Sequence, residues 1–193
     1  MQLPYLDDYL LSLKSNNYSD ETIYNYERDI GVFENFLCDI KADFDMIDKK
    51  TILNYKAYLI SQDRMTFKTE KGIKRLSAFS INRMLSALRS YFKFLINMDY
   101  KSPVSPTSIE LVKTDKKHFR ISEFEEVVKL IESPDKFEKN KFVASRNRTM
   151  LETLFSTGMR ISELVNLRKE QIDKTGRVFI KGKGKKERFG RIL

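Results

Sequence analysis

A chain of 193 residues has room for one good core or two small ones, since domains usually run about 100 to 200 residues. Hydrophobic residues make up 41% and charged residues 33%, and no apolar run approaches the roughly 20 residues that cross a bilayer, so neither a membrane anchor nor a membrane partner is expected. The acidic start MQLPYLDDYL lacks the basic end and long apolar stretch of an export signal, which makes the cytoplasm the expected location; the single cysteine excludes an internal disulfide and a zinc site of several thiolates.

Net charge is +9, and its distribution is uneven. Residues 1–63 hold 6 Lys/Arg against 12 Asp/Glu, residues 64–101 hold 9 against 2, and residues 177–193 hold 7 against Glu187 alone. Such segregation offers a positive field to a polyanion, although charge alone fits two solvated basic surfaces equally well.

In chain order, the first hundred residues read as four helices. Leu3, Leu6, Leu10 and Leu13 recur at spacings of three and four, and Ser19 to Leu37 opens on cap and first-turn acids with Ile23, Tyr26, Ile30, Phe33 and Leu37 on one face. Just after that second segment, Cys38 reads as a small core residue. Asp48 caps a third segment in which Ile52, Tyr55 and Leu59 recur, and residues 62–77 form a basic, polar loop with Gly72. The fourth helix, Ser80 to Met98, buries Ile81, Met84, Leu85, Leu88, Phe92, Leu95 and Ile96, while Lys74, Arg75, Arg83, Arg89 and Lys93 line one edge as candidate contacts for a polyanion.

KSPVSPTSIELVKTDKKH, with Pro103 and Pro106, reads as a linker over 102–118, with the lone histidine, His118, a solvated position within it. Ser122 caps a helix to about Ile131, Asn147 to Phe155 is another, and after a turn at STG a short helix follows whose apolar face is Ile161, Leu164, Val165 and Leu167. RVFIKG and ERFGRIL then read as two strands of a hairpin around GKGKK, with basic residues crowded at its tip. The glycines at 182 and 184 lack the strand-to-helix setting of a nucleotide-binding loop.

Three segments carry a resemblance. LETLFSTGMRISELVNLRKEQID followed by RVFIKGKGKKERF resembles the first catalytic motif and following hairpin of the tyrosine site-specific recombinases of the Xer and integrase type. SAFSINRMLSALRSYFKFLINMDY resembles the last helix of their core-binding domain, and HFRISEFEEVVKLIE the opening helix of their catalytic domain. The resemblance implies a mainly α fold: a SAM-like four-helix core-binding bundle over 1–101, a linker over 102–118, and over 119–193 the first segment of an α+β catalytic domain.

By the same resemblance, Arg160 in TGMRISEL matches the catalytic arginine on the scissile phosphate, a role that suits a permanently charged, planar fork of donors. Gly158 permits the turn before it, and Glu163 is placed to hold the guanidinium. Lys183 matches the hairpin lysine that protonates the 5′-hydroxyl leaving group, and Lys181, Lys185, Lys186 and Arg188 become candidate backbone contacts. The implied partner is a double-stranded recombination site bound by a homo- or hetero-tetramer, and the chemistry calls for no cofactor and no metal. The family's His-x-x-Arg motif and late tyrosine nucleophile have no counterpart here, because no tyrosine follows Tyr100. These 193 residues are therefore expected to bind DNA without cleaving it. The other reading is a non-catalytic short form that occupies or blocks recombination sites.

Overall fold

Ser19 and Asp48 each begin a helix by the same device, a side-chain oxygen that accepts an N–H left free in the first turn. Ser19 takes the N–H of Thr22 at 3.3 Å and Asp48 that of Thr51 at 2.7 Å. The computed structural model describes residues 3–61, 75–115, 121–181 and 187–192, excepting the Lys181 side chain. It divides into two units, Met1–Lys117 and His118–Leu193.

In the first unit, α1 (Leu6–Ser15), α2 (Asp20–Asp39), α3 (Lys49–Ile60) and α4 (Ala78–Asn97) pack around one aromatic-rich core. Phe33 meets Tyr55 edge-on at 4.8 Å, Tyr9 meets Tyr91 at 5.6 Å, and the Tyr91 hydroxyl donates to the Pro4 carbonyl at 2.6 Å. Helix α4 is buried on more of its circumference than a single stripe predicts. Ala87, Tyr91 and Phe94 are inside, whereas Ile96, expected in the stripe, is exposed. Tyr9 of α1 packs on both Tyr91 and Phe94, with Phe44 beside the first and Tyr100 beside the second. Residues 102–112, read from sequence as linker, pack on α4: Val104 and Ile109 are buried, and Asn82 exchanges two hydrogen bonds with the backbone of Val112, at 2.9 and 2.8 Å. Cys38 is a correction to the expected core position, since it is exposed on α2.

The second unit consists of α5 (Phe124–Phe137), α6 (Lys141–Thr157), α7 (Ile161–Val165) and an antiparallel hairpin of β1 (Arg177–Lys181) and β2 (Glu187–Arg191). Helix α5 begins one residue later than expected, on Glu123 rather than Ser122, and runs past Ile131 through Pro134. Pro134 cannot donate to the Leu130 carbonyl, and the Ser133 hydroxyl takes that acceptor at 2.7 Å instead. Asn140 caps α6 through Phe142 and Val143, so this helix starts well before Asn147. Arg148 of α6 ties the two helices together, reaching Asp135 of α5 at 2.6 Å and Glu152 at 2.9 Å. The buried apolar side chains here are few among the described residues: Met159, Val178 and Ile180, with Ala144 on α6. Two residues expected on the inner face of α7, Ile161 and Val165, are exposed, while Leu164 and Leu167 pack inward. The mainly α class, with a four-helix bundle before helices and a hairpin, is the one expected from sequence.

Candidate phosphate-binding and DNA-contacting site

Helix α6 stops at Gly158, which sits at φ +60° and donates its N–H to the Leu154 carbonyl at 2.9 Å. An added Cβ there would meet nothing within 4 Å, so it is the left-handed backbone rather than space that calls for glycine. The turn hands the chain to Arg160, the N-cap of α7, with extended backbone at φ −78° and ψ 155°.

Glu163, one turn into α7, organises the site. Its Oε2 accepts the Arg160 backbone N–H at 2.8 Å, and its Oε1 accepts Nη1 of the Arg160 guanidinium at 2.9 Å. The same carboxylate takes a third partner from the hairpin: Arg188 Nη2 donates to Oε2 at 2.8 Å and also to the Gly158 carbonyl at 3.1 Å. Glu163 is enclosed, with its side chain 10% exposed, while Arg160 is 57% and Arg188 39% exposed. The Arg160 N–H first, then its guanidinium and the charge of Arg188, hold the Glu163 carboxyl below its ordinary range against the opposing effect of burial. The carboxylate therefore stays ionised, and both arginine side chains keep more than a third of their surface in solvent.

The hairpin is seated by a contact that sequence reading misses. Gly190 of β2 pairs with Val178, and a Cβ at Gly190 would come within 2.8 Å of the Thr157 side chain and 3.2 Å of Ile180. Only a bare backbone lets β2 lie this close to the end of α6. Its sole signal in the sequence is a glycine inside a strand. Gln171 adds a further tie, donating from its side chain to the Phe179 carbonyl at 3.1 Å.

The structure brings Arg160, Glu163, Gly158 and Arg188 together. Lys183, Lys185 and Lys186 lie outside the described residues, as do Lys74 and His118; Lys181 is the last residue of β1, in register with Glu187. In the first unit, Arg75 lies exposed ahead of α4 and Lys93 is exposed on it, but the other two candidates have internal partners. Arg83 donates to Asp29 at 2.6 Å, where Asp29 is 1% exposed and Arg83 43%. Burial pushes the Asp29 carboxyl up to about 6 against the pull of Arg83 and Arg28. Arg89 donates to the Ile109 carbonyl and so pins the segment after α4. The four side chains do not form one free basic edge.

Among the described residues, no group of three His, Cys, Asp or Glu side chains is gathered for a metal ion, and no helix is long and apolar enough to cross a membrane. Comparison with known proteins places residues 6–98 in the phage integrase N-terminal SAM-like domain and residues 120–192 in the phage integrase family. The tyrosine recombinase XerD of Staphylococcus aureus and that of Staphylococcus haemolyticus are each 33% identical over 187 residues, 95% of this chain. The chain spans 58% of the length of these relatives. In fold it is similar to a lambda integrase dimer bound to a COC′ core site, with TM-score 0.70 and 19% identity over 96% of this chain and 60% of that one. A lambda integrase tetramer bound to a Holliday junction gives TM-score 0.68 and 18% identity over 97% and 49%. Two consecutive family matches in the order that the two units follow, together with these relatives, lead to one conclusion: the chain belongs to the phage integrase family, the tyrosine recombinases.

Proposed function

We propose that this chain is the DNA-gripping portion and the start of the catalytic domain of a site-specific recombinase, which cleaves duplex DNA through a 3′-phosphotyrosyl intermediate and exchanges strands within a tetramer in the cytoplasm. The observation that carries the reading is the Arg160 guanidinium, held on one edge by an enclosed carboxylate and open on the other, at the head of the TGMRISEL helix. Family membership and the DNA-bound states in which lambda integrase has been solved support the same partner and the same assembly.

In this reading Arg160 contacts the scissile phosphate. Glu163 fixes its Nη1 while 57% of the side chain stays exposed, so the arginine enters the reaction with its geometry already set. Charge that builds on the phosphate oxygens as the phosphorus becomes five-coordinate is then met by a group that needs no reorganisation. Lys183 donates a proton to the departing 5′-oxygen, aided by neighbouring cations that ease proton release. Lys74, Arg75, Lys93, Lys181, Lys185 and Lys186 grip the backbone, and Arg83 and Arg89 contribute only through whatever donors their internal partners leave free. The His-x-x-Arg and tyrosine that complete the chemistry in the family are absent from these 193 residues, which by themselves bind without cleaving.

Binding of a duplex carrying a recombination site, measured against salt, tests the grip. Lys185→Ala and Lys186→Ala should each lower affinity on most sequences and flatten the salt slope by about one unit per lost contact. An unchanged slope would make these lysines merely solvated. In the complete recombinase, Arg160→Ala should abolish cleavage while barely weakening binding; equal loss of both would contradict its assignment to the scissile phosphate.

A further inference from the structure

Glu163 serves two arginines at once, and only one of them belongs to the TGMRISEL motif. A lone Arg160–Glu163 pair would be electrically neutral, and its guanidinium would be a poor ligand for an anion, because a carboxylate at 2.9 Å already satisfies much of its charge. Arg188 changes that balance. Its Nη2 lies 2.8 Å from Glu163 Oε2, so two guanidiniums share one carboxylate, and the cluster sums to +1 from two positive charges and one negative. Arg188 arrives from β2, opposite Ile180 in the hairpin register, and is fastened at the same atom to the Gly158 carbonyl at 3.1 Å. It thus touches both the carboxylate that holds Arg160 and the turn that aims it.

We propose that Arg188 is a positioning residue that makes the Arg160 site anion-binding: by taking part of the Glu163 carboxylate it leaves Arg160 with uncompensated charge, and it locks the hairpin to the head of α7. This rests on the reading of Arg160 as a phosphate ligand. It differs from a simple backbone contact for Arg188, because the effect passes through Glu163 and Arg160. Without Arg188, the whole carboxylate charge falls to Arg160, which already touches both oxygens, the pair becomes neutral, and the phosphate loses its partner although Arg160 is still present. Replacing Glu163 by glutamine in the same background restores the sum to +1 and with it the affinity.

The experiment uses the 193-residue chain and two nuclear magnetic resonance titrations. In the first, the Glu163 side-chain carboxyl is followed against pH: Arg188→Ala should raise its pKa, still short of an ordinary glutamate because the Arg160 N–H remains, and Arg188→Lys should raise it less. In the second, inorganic phosphate is titrated while the Arg160 side-chain N–H is observed. Arg188→Ala should weaken phosphate binding about tenfold, the size of effect that loss of one charge-assisted partner produces. Glu163→Gln with Arg188→Ala should recover most of it, and Arg160→Ala should remove it altogether. An unmoved Glu163 pKa, unchanged phosphate affinity in Arg188→Ala, or no recovery in the double variant would each overturn the inference. A wild-type chain whose Arg160 ignores phosphate would instead overturn the assignment of Arg160 on which the inference rests, while the pH titration still judges the tie between Arg188 and Glu163.

Discussion

The two units are built by different means. The first has a continuous core in which Tyr9, Phe33, Tyr55, Tyr91 and Phe92 interlock with Ile30, Leu37, Leu85, Leu88 and Leu95, and its helices are fixed by what they bury. The second buries Met159, Val178 and Ile180 and leaves Phe124, Phe137, Phe142, Ile161, Val165 and Phe189 exposed, so its described elements are held largely by caps, ion pairs and close backbone approach. The contrast separates the two: the bundle is fixed by what it buries, whereas the geometry around Arg160 depends on polar contacts among a few side chains, each of which can be broken singly.

The largest expected effect falls in the bundle. Phe92→Ala removes a fully buried ring and should cost about 3 to 5 kcal/mol, seen as a lower denaturant midpoint for the first unit alone. A loss shared equally by both units would mean that they unfold together and that the contrast is wrong.

Next comes Asp29, the one buried carboxylate among the described residues of the bundle. Burial raises Asp29 from its ordinary 3.8 to about 6, so the folded state holds its proton more tightly than the unfolded chain does. This group's contribution is therefore fully present below the unfolded value and is lost as pH rises through the folded one. Asp29→Asn lacks that dependence, and its stability relative to the parent should improve by up to about 3 kcal/mol between pH 4 and 7. Denaturation at several pH values measures it; parallel curves for parent and variant would show that Asp29 keeps an ordinary carboxyl in the fold.

In the second unit, Gly190→Ala should cost about 1 to 3 kcal/mol by forcing β2 away from Thr157, with the bundle untouched. Amide hydrogen exchange would locate the damage in the hairpin and the end of α6. At the bottom of the scale, Lys136→Ala removes an exposed pair with Glu132 at 3.5 Å and should change stability by about 0.5 kcal/mol or less. A clear loss there would mean that surface ion pairs matter more to this unit than their exposure suggests.

Local chemistry is what the sequence makes legible. The caps at Ser19 and Asp48, the repeating faces of α2 and α3, the glycine turn before α7 and the hairpin around GKGKK are all written in residues close together in the chain. Long-range partnerships are not. Arg83 and Arg89 read as members of a basic edge because Asp29 and the Ile109 carbonyl, 54 and 20 residues away, leave no trace in helical periodicity. Burial of Tyr91 and Phe94 depends on Tyr9, Phe44 and Tyr100 from distant or later parts of the chain. The packing of residues 102–112 on Asn82 and Arg89 of α4 is hidden by two prolines and several polar residues that read as a linker. Arg188 looks like one more cation in a basic run until β2 carries it to Glu163. At Pro134 the competing signal is local but subtle: a serine hydroxyl takes the orphaned carbonyl, and the helix runs on.

The most direct test of the central claim is to mix the 193-residue chain with a nicked suicide duplex carrying a candidate recombination site and to run the same sample on native and denaturing gels. A salt-sensitive shift on the native gel with no covalent adduct on the denaturing one is the predicted result, that of a DNA-gripping portion without its nucleophile. No shift at low salt, or an adduct that survives denaturation, would contradict the account.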